Sequence, residues 1–98
     1  MNKDLHNNCP IARVAVLLSD PWTMLIVRDL LGKNMRFSDL EKSLVGISTR
    51  TLTIKVKQLE IEGILEKLDP PFYSITKKGS KLKKVLEAMA DYGKSIDD

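Results

Sequence analysis

The sequence predicts a mainly α (α+β) chain, with five helical segments and one short two-stranded hairpin, and three observations carry that reading. Start and stop signals recur along it, with Pro10, Asp20-Pro21, Ser38 and Ser48 as starts and Gly32, Gly46 and Gly63 as stops. Between them, apolar residues fall three and four apart, the spacing of one helical face. Late in the chain, "ILEKL" and "FYSIT" alternate partially and flank Asp69-Pro70-Pro71, a hairpin bend. Ninety-eight residues with 43% apolar and 30% charged side chains suit one modest core. The expected organisation is a mobile polar tail over 1–8 and a single domain over 9–98.

The first helix starts at Pro10, a residue suited to a position where no N–H is needed, and runs to about Leu18 with Ile11, Val14 and Leu18 on one face. The second starts with Asp20 as N-cap and Pro21 as first helical residue. It carries Trp22, Leu25, Ile26 and Leu30 before Gly32, and Met24 and Val27 leave it little polar surface. It is therefore the expected central helix. Ser38 and Glu41 in "RFSDLEKSL" have the spacing of a capping box, and Leu40 and Leu44 form the buried stripe of this short third helix. Gly46 permits the left-handed backbone of a tight interhelical turn.

The next stretch, "TRTLTIKV" over 49–56, has the β-branched content and near alternation of a strand. Its flanks argue otherwise. Ser48 is a good N-cap, Ile47 and Leu52 can form a hydrophobic staple, and Leu52, Val56 and Leu59 continue at helical spacing until Gly63. The alternation fails at Lys57-Gln58. This is a helix over about 49–62, in which Thr and Ile each cost roughly several tenths of a kcal/mol relative to Ala. With Leu52 facing the core, Arg50, Thr53, Ile54, Lys57 and Ile61 project to the opposite side. Such a face is either an ordinary solvated surface or one suited to DNA. Arg pairs with guanine edges, Thr bonds bases or phosphates, methyl groups touch thymine, and Lys neutralises phosphate.

A capped helix, a glycine turn and a second helix form a helix-turn-helix, and a hairpin after it makes a winged helix. On "WTMLIVRDLLG", "RFSDL", "GISTRTLTIKVKQLEIEGIL", "PP" and "YSITKKGSKL", in that order, the chain resembles the HxlR-type winged-helix regulators of bacteria and archaea. The resemblance runs from Cys9-Pro10 to Tyr92-Gly93. It implies a homodimeric transcription regulator with a C-terminal dimerisation helix, whose helix over 49–62 enters the major groove of double-stranded DNA. Some relatives with a cysteine at the Cys9 position respond to oxidants or electrophiles through it. Four departures are visible: Ser19-Asp20-Pro21 where the family often has Gly-Gly-Lys, a shorter wing, Phe72 where a basic residue is common, and Tyr92 where Trp is common.

The expected groove contacts are Ser48, Thr49, Arg50, Thr53, Ile54 and Lys57, with Arg36, Ser38 and Lys77 as phosphate candidates. Lys78, Lys81, Lys83 and Lys84 extend the basic run, which in isolation reads as a solvated helix start. Leu82, Val85, Leu86, Met89 and Tyr92 share one face. That stripe either closes the chain's own core or, as the resemblance implies, forms a dimer interface with Ile11, Val14 and Leu18. A two-fold dimer favours a palindromic operator. Cys9 is an N-cap candidate, where the positive end of the helix dipole favours negative charge. A single cysteine has no internal resolving partner, so sensing would need an intermolecular disulfide or an adduct.

Other classes lack their residues. His6 and Cys9 alone do not make a metal site, no cofactor loop is present, and no nucleophile-base constellation exists for an enzyme. The start lacks a signal-peptide core and no apolar run spans a membrane, so the expected compartment is the cytoplasm. The sequence names no small-molecule effector. A second functional class stays open: a winged helix used for protein contact, through exposed Ile54 and Ile61.

Overall fold

The computed structural model describes residues 9–68 and 71–96. The expected mobile tail with His6, the Asp69-Pro70 step of the bend, and residues 97–98 lie outside them. The elements in order are α1 (Pro10–Leu17), α2 (Pro21–Gly32), β1 (Met35–Arg36), α3 (Phe37–Ser43), α4 (Thr49–Ile61), β2 (Leu65–Leu68), β3 (Phe72–Ile75), α5 (Lys77–Ser80) and α6 (Lys83–Ser95). The winged helix is therefore present, mostly helical with one small antiparallel sheet.

Local chemistry sets the helix starts. Pro10 and Pro21 open α1 and α2, and the Asp20 carboxylate accepts the Thr23 N–H at 3.2 Å. Ser48 caps α4 by accepting the Thr51 N–H at 3.0 Å. At the far end of α4, Gly63 takes φ 76°. The N–H groups of Gly63 and Ile64 return to the carbonyls of Glu60 and Leu59 at 3.0 and 2.9 Å, a Schellman closure. Gly46, at φ 94°, makes the tight turn between α3 and α4.

Three expectations need correction. The third helix does not begin at a Ser38–Glu41 capping box. It starts at Phe37, and the Asp39 carboxylate accepts the backbone N–H of Arg36 at 3.1 Å. Met35 and Arg36 pair with Tyr73 and Phe72, and this strand fixes the helix start two residues earlier. For the same reason the sheet has three strands in the order β1-β3-β2, rather than two. The hairpin itself pairs Leu65 with Ile75 through Leu68 with Phe72. The lysine-rich exit is also divided: α5 is a single short turn before α6, which makes six helices among the described residues.

The core gathers Ile26 and Val27 of α2, Leu40 of α3, Leu52, Val56 and Leu59 of α4, and Leu65 and Tyr73 of the sheet. Ile26, Leu40 and Leu52 are fully buried, each contributing roughly 1.5–3 kcal/mol on removal from water. Leu18 and Leu82, expected at a dimer interface, are buried against this core. Val85 and Leu86 pack on its edge. No single helix among the described residues is long and apolar enough to cross a membrane.

Two lysines tie α4 to its surroundings. Lys55 forms an ion pair with Asp20, the cap of α2. Burial acts to raise the Asp20 carboxyl, but the Lys55 hydrogen bond and charge and the Thr23 and Trp22 N–H groups outweigh it and hold it below 3.8. At the other end, the Lys78 ammonium donates to the Glu62 carbonyl at 2.8 Å. Beside it, Thr76 donates its N–H to the Ile64 carbonyl at 3.0 Å. Its hydroxyl reaches the carbonyls of Gly63 and Ile64 at 2.5 and 3.0 Å and accepts the Gly79 N–H at 3.0 Å.

Candidate nucleic-acid interface

The face of α4 opposite Leu52, Val56 and Leu59 is open to solvent. Arg50, Thr53, Ile54, Lys57 and Ile61 are all exposed, as helical spacing from Leu52 requires. Hydrogen bonding divides the expected contacts into two sets. The Ser48 hydroxyl accepts the Thr51 N–H and donates to Thr51 Oγ1 at 2.9 Å. Thr49 donates to the Glu41 carboxylate at 2.6 Å, and Thr53 donates back to the Thr49 carbonyl at 2.8 Å. These three hydroxyl protons are already used, so they stiffen the first turns of α4. Arg50 and Lys57 join no ion pair among the described residues. Their donors are the ones left to meet a ligand.

The sheet adds to this face. A cleft of about 500 Å³ lies between α4 and the wing, with Thr53, Lys57, Ile61, Phe37, Lys67 and Tyr73 in its walls. A second, of about 490 Å³, is lined by Arg36, Phe37, Ser38, Lys67, Pro71 and Tyr73. Phe37, Lys67 and Tyr73 belong to both, so the two clefts adjoin. Arg36, Ser38, Thr53 and Lys57 are thus brought to one continuous surface, whereas Lys77 lines neither cleft. Lys78, the lysine next to it, is committed to the end of α4.

Lys67 is the residue that the sequence reading missed. It pairs with Tyr73 across the hairpin and its ammonium stands 5.8 Å from that ring's centre. Arg36 sits likewise 4.9 Å from the centre of the Phe72 ring. The neighbouring aromatics of β3 therefore carry one cation each, Arg36 of β1 on Phe72 and Lys67 of β2 on Tyr73. The signal was available in the hairpin register: Lys67 and Tyr73 oppose each other when Leu65 faces Ile75.

On the other side of the molecule, α1 and α6 enclose an apolar groove of about 600 Å³. Ile11, Val14, Met24, Val85 and Met89 line it, with Leu18 among them. Tyr92 is 70% exposed further along α6. Cys9 is partly buried at the N-cap of α1, and its side chain makes no cap hydrogen bond. Among the described residues, no three His, Cys, Asp or Glu side chains are grouped as a metal site.

Comparison with known proteins agrees with this arrangement. Residues 17–98 match the HxlR-like helix-turn-helix family. The HTH-type transcriptional regulator sll1512 of Synechocystis is 37% identical over 91 residues, covering 87% of this chain and 67% of that protein. YvaP of Bacillus subtilis, also an HTH-type transcriptional regulator, is 39% identical over 85 residues, covering 80% and 79%. The quinone-bound crystal structure of YodB from B. subtilis superposes with a TM-score of 0.81 at 28% identity, covering 89% of this chain and 98% of that one. The chain belongs to the HxlR-like helix-turn-helix family and is a transcriptional regulator of the helix-turn-helix type.

Proposed function

We propose that residues 9–98 act as one domain of a cytoplasmic, homodimeric, sequence-specific regulator that binds double-stranded DNA, with α4 in the major groove. The observation that carries this reading is the pair of cations Arg50 and Lys57, which join no ion pair among the described residues, beside three hydroxyls whose protons are already used. Arg50 reads a base edge and Ile54 meets a thymine methyl, while Lys57, Arg36 and Lys67 sit against phosphates. Ser38 and Lys77 are secondary phosphate contacts. Ser48, Thr49 and Thr53 position the first turns and offer their lone pairs to base amino groups. The groove between α1 and α6 receives the same face of a second copy, so that two α4 helices meet a palindromic site.

Cys9 extends the proposal to regulation. YodB is a relative in fold and sequence that has been seen with quinone bound. In this chain the thiol stands at the start of α1, next to Pro10 of the apolar groove. An adduct or an intermolecular disulfide at Cys9 would alter how two copies meet, and with it the spacing of the two α4 helices.

One specific observation favours a protein-contact reading instead. Ile61 is 76% exposed and Ile54 44%, seven residues apart on the same face. Salt separates the two readings. Binding to the promoter DNA beside its own gene should weaken steeply along a salt series, with a logarithmic slope of about −0.9 per phosphate contact. Addition of a quinone or hydroperoxide should release the DNA, and Cys9→Ser should not respond. Absence of binding at low salt would leave the protein-contact reading. An oxidant response that survives Cys9→Ser would remove Cys9 as the sensor.

A further inference from the structure

We infer that Lys55 and Asp20 are positioning residues for DNA reading: their ion pair fixes the rotation of α4 about its own axis. The inference rests on the DNA-binding reading above and names a device that lies outside the contact face. Lys55 stands roughly 160° around the helix from Lys57, so it cannot share a groove with that residue. It points instead to the start of α2, where Asp20 is held by Pro21 and by the Thr23 N–H at 3.2 Å. Of the two ion pairs among the described residues, this is the one that joins separate elements, since the other links the neighbours Arg28 and Asp29.

The geometry explains why such a tie matters. Leu52, Val56 and Leu59 press α4 onto the core and set which face is buried, but apolar contacts lack the directionality of a polar pair that fixes the last few degrees. With side chains included, the helix has a radius of roughly 5–6 Å, so a rotation of about 10° moves a side-chain tip by roughly 1 Å. Base reading tolerates only about 0.5 Å. An off-centre, directional pair beside the apolar stripe adds a constraint on the middle of α4, where the Thr49–Glu41 and Lys78–Glu62 bonds act only at its two ends. The side chains of Lys55 and Asp20 are only 25% and 27% accessible, which shelters the pair from full solvent screening. It also joins α4 to Asp20, three residues beyond the end of α1, so the α1 face and α4 are mechanically linked through Leu18, Ser19 and Asp20.

The test uses the full chain and four variants: Lys55→Met, Asp20→Ser, the double variant, and Lys55→Arg. Met keeps the stem length of Lys, and Ser keeps an N-cap oxygen for α2. A duplex enriched from a random pool by the wild-type protein is compared with its scrambled counterpart. Both single variants should lose about tenfold in the ratio of the two affinities, the scale of one mismatched base pair. The double variant should lose no more than either single one, and Lys55→Arg should approach wild type. Affinity for the scrambled duplex and its salt slope should stay unchanged, which a directly contacting lysine would not allow. An unchanged ratio in both single variants overturns the inference and leaves the DNA reading intact. Equal losses on both duplexes, with the salt slope reduced by about one, would make Lys55 a phosphate contact instead. Failure of the wild type to enrich any duplex overturns the DNA reading and this inference with it.

Discussion

Gly79→Ala is expected to destabilise the protein by about 3 kcal/mol or more, lowering Tm by roughly 12–24 °C. A Cβ at this position would lie 2.1 Å from the Ile64 carbonyl oxygen and 3.0 Å from its carbon. That carbonyl cannot retreat, because it accepts both the N–H and the hydroxyl of Thr76. Ile64 is itself buried, one residue beyond the glycine that closes α4. The two adjacent groups would have to separate, and doing so breaks the hydrogen bonds of Thr76 to the end of α4. Nothing about φ is involved; the requirement is for space alone. Chemical denaturation of the variant measures the cost, and a loss under about 1 kcal/mol would mean that α5 is not held against Ile64 as described.

Met89→Glu is expected to leave the fold standing and separate the dimer. Met89 is 43% exposed on α6 and lines the apolar groove, so Glu, a good helix former, can be accommodated in a single chain. In the proposed dimer the same position is covered by the second copy, and an unpaired carboxylate would have to lose its water. Two linked half-site contacts exceed either one alone by about 10²–10⁴-fold, so affinity for an intact operator should fall by at least about 10² when the dimer is lost. Sedimentation reads the mass and circular dichroism the helix content. Wild-type mass in the variant, with operator affinity retained, would show that the α1–α6 groove is not the interface.

Much of this architecture is legible in the sequence because helix punctuation is local. Asp20-Pro21, Ser48, Gly46 and Gly63 do what their side chains or lack of them dictate, and each is found in the expected role. The identification of "TRTLTIKV" as a helix follows from the same signals, and α4 covers Thr49–Ile61. What was not legible depends on long-range pairing. Two residues, Met35 and Arg36, have no periodicity to read, yet pairing with β3 moves the N-cap of α3 from Ser38 to Arg36. "FSDLE" offers two overlapping acid-return spacings, and only the sheet decides between Asp39 and Glu41. Glu41, freed from capping, takes the Thr49 hydroxyl instead.

The site shows the same division. Helical spacing alone places Arg50, Thr53, Ile54 and Lys57 on one exposed face, because the buried stripe is unmistakable. Spacing does not reveal which of those side chains are already bonded within the chain, nor that Lys67 and Arg36 each stand over an aromatic ring of β3. Nor does it reveal that Lys55 and Lys78 serve α4 from behind, through Asp20 and the Glu62 carbonyl. Lysines in a basic run look alike in sequence, whereas in the fold one of them is a helix cap.

The central claim is that α4 reads DNA, and Arg50 is the residue on which it depends most. Binding of Arg50→Ala and wild-type protein to the promoter duplex beside its own gene, and to variants of that duplex altered one base pair at a time, tests it directly. Arg50→Ala should lose about 1–3 kcal/mol of binding, with discrimination relaxed at one base-pair position in each half-site. Affinity and discrimination equal to wild type would contradict it.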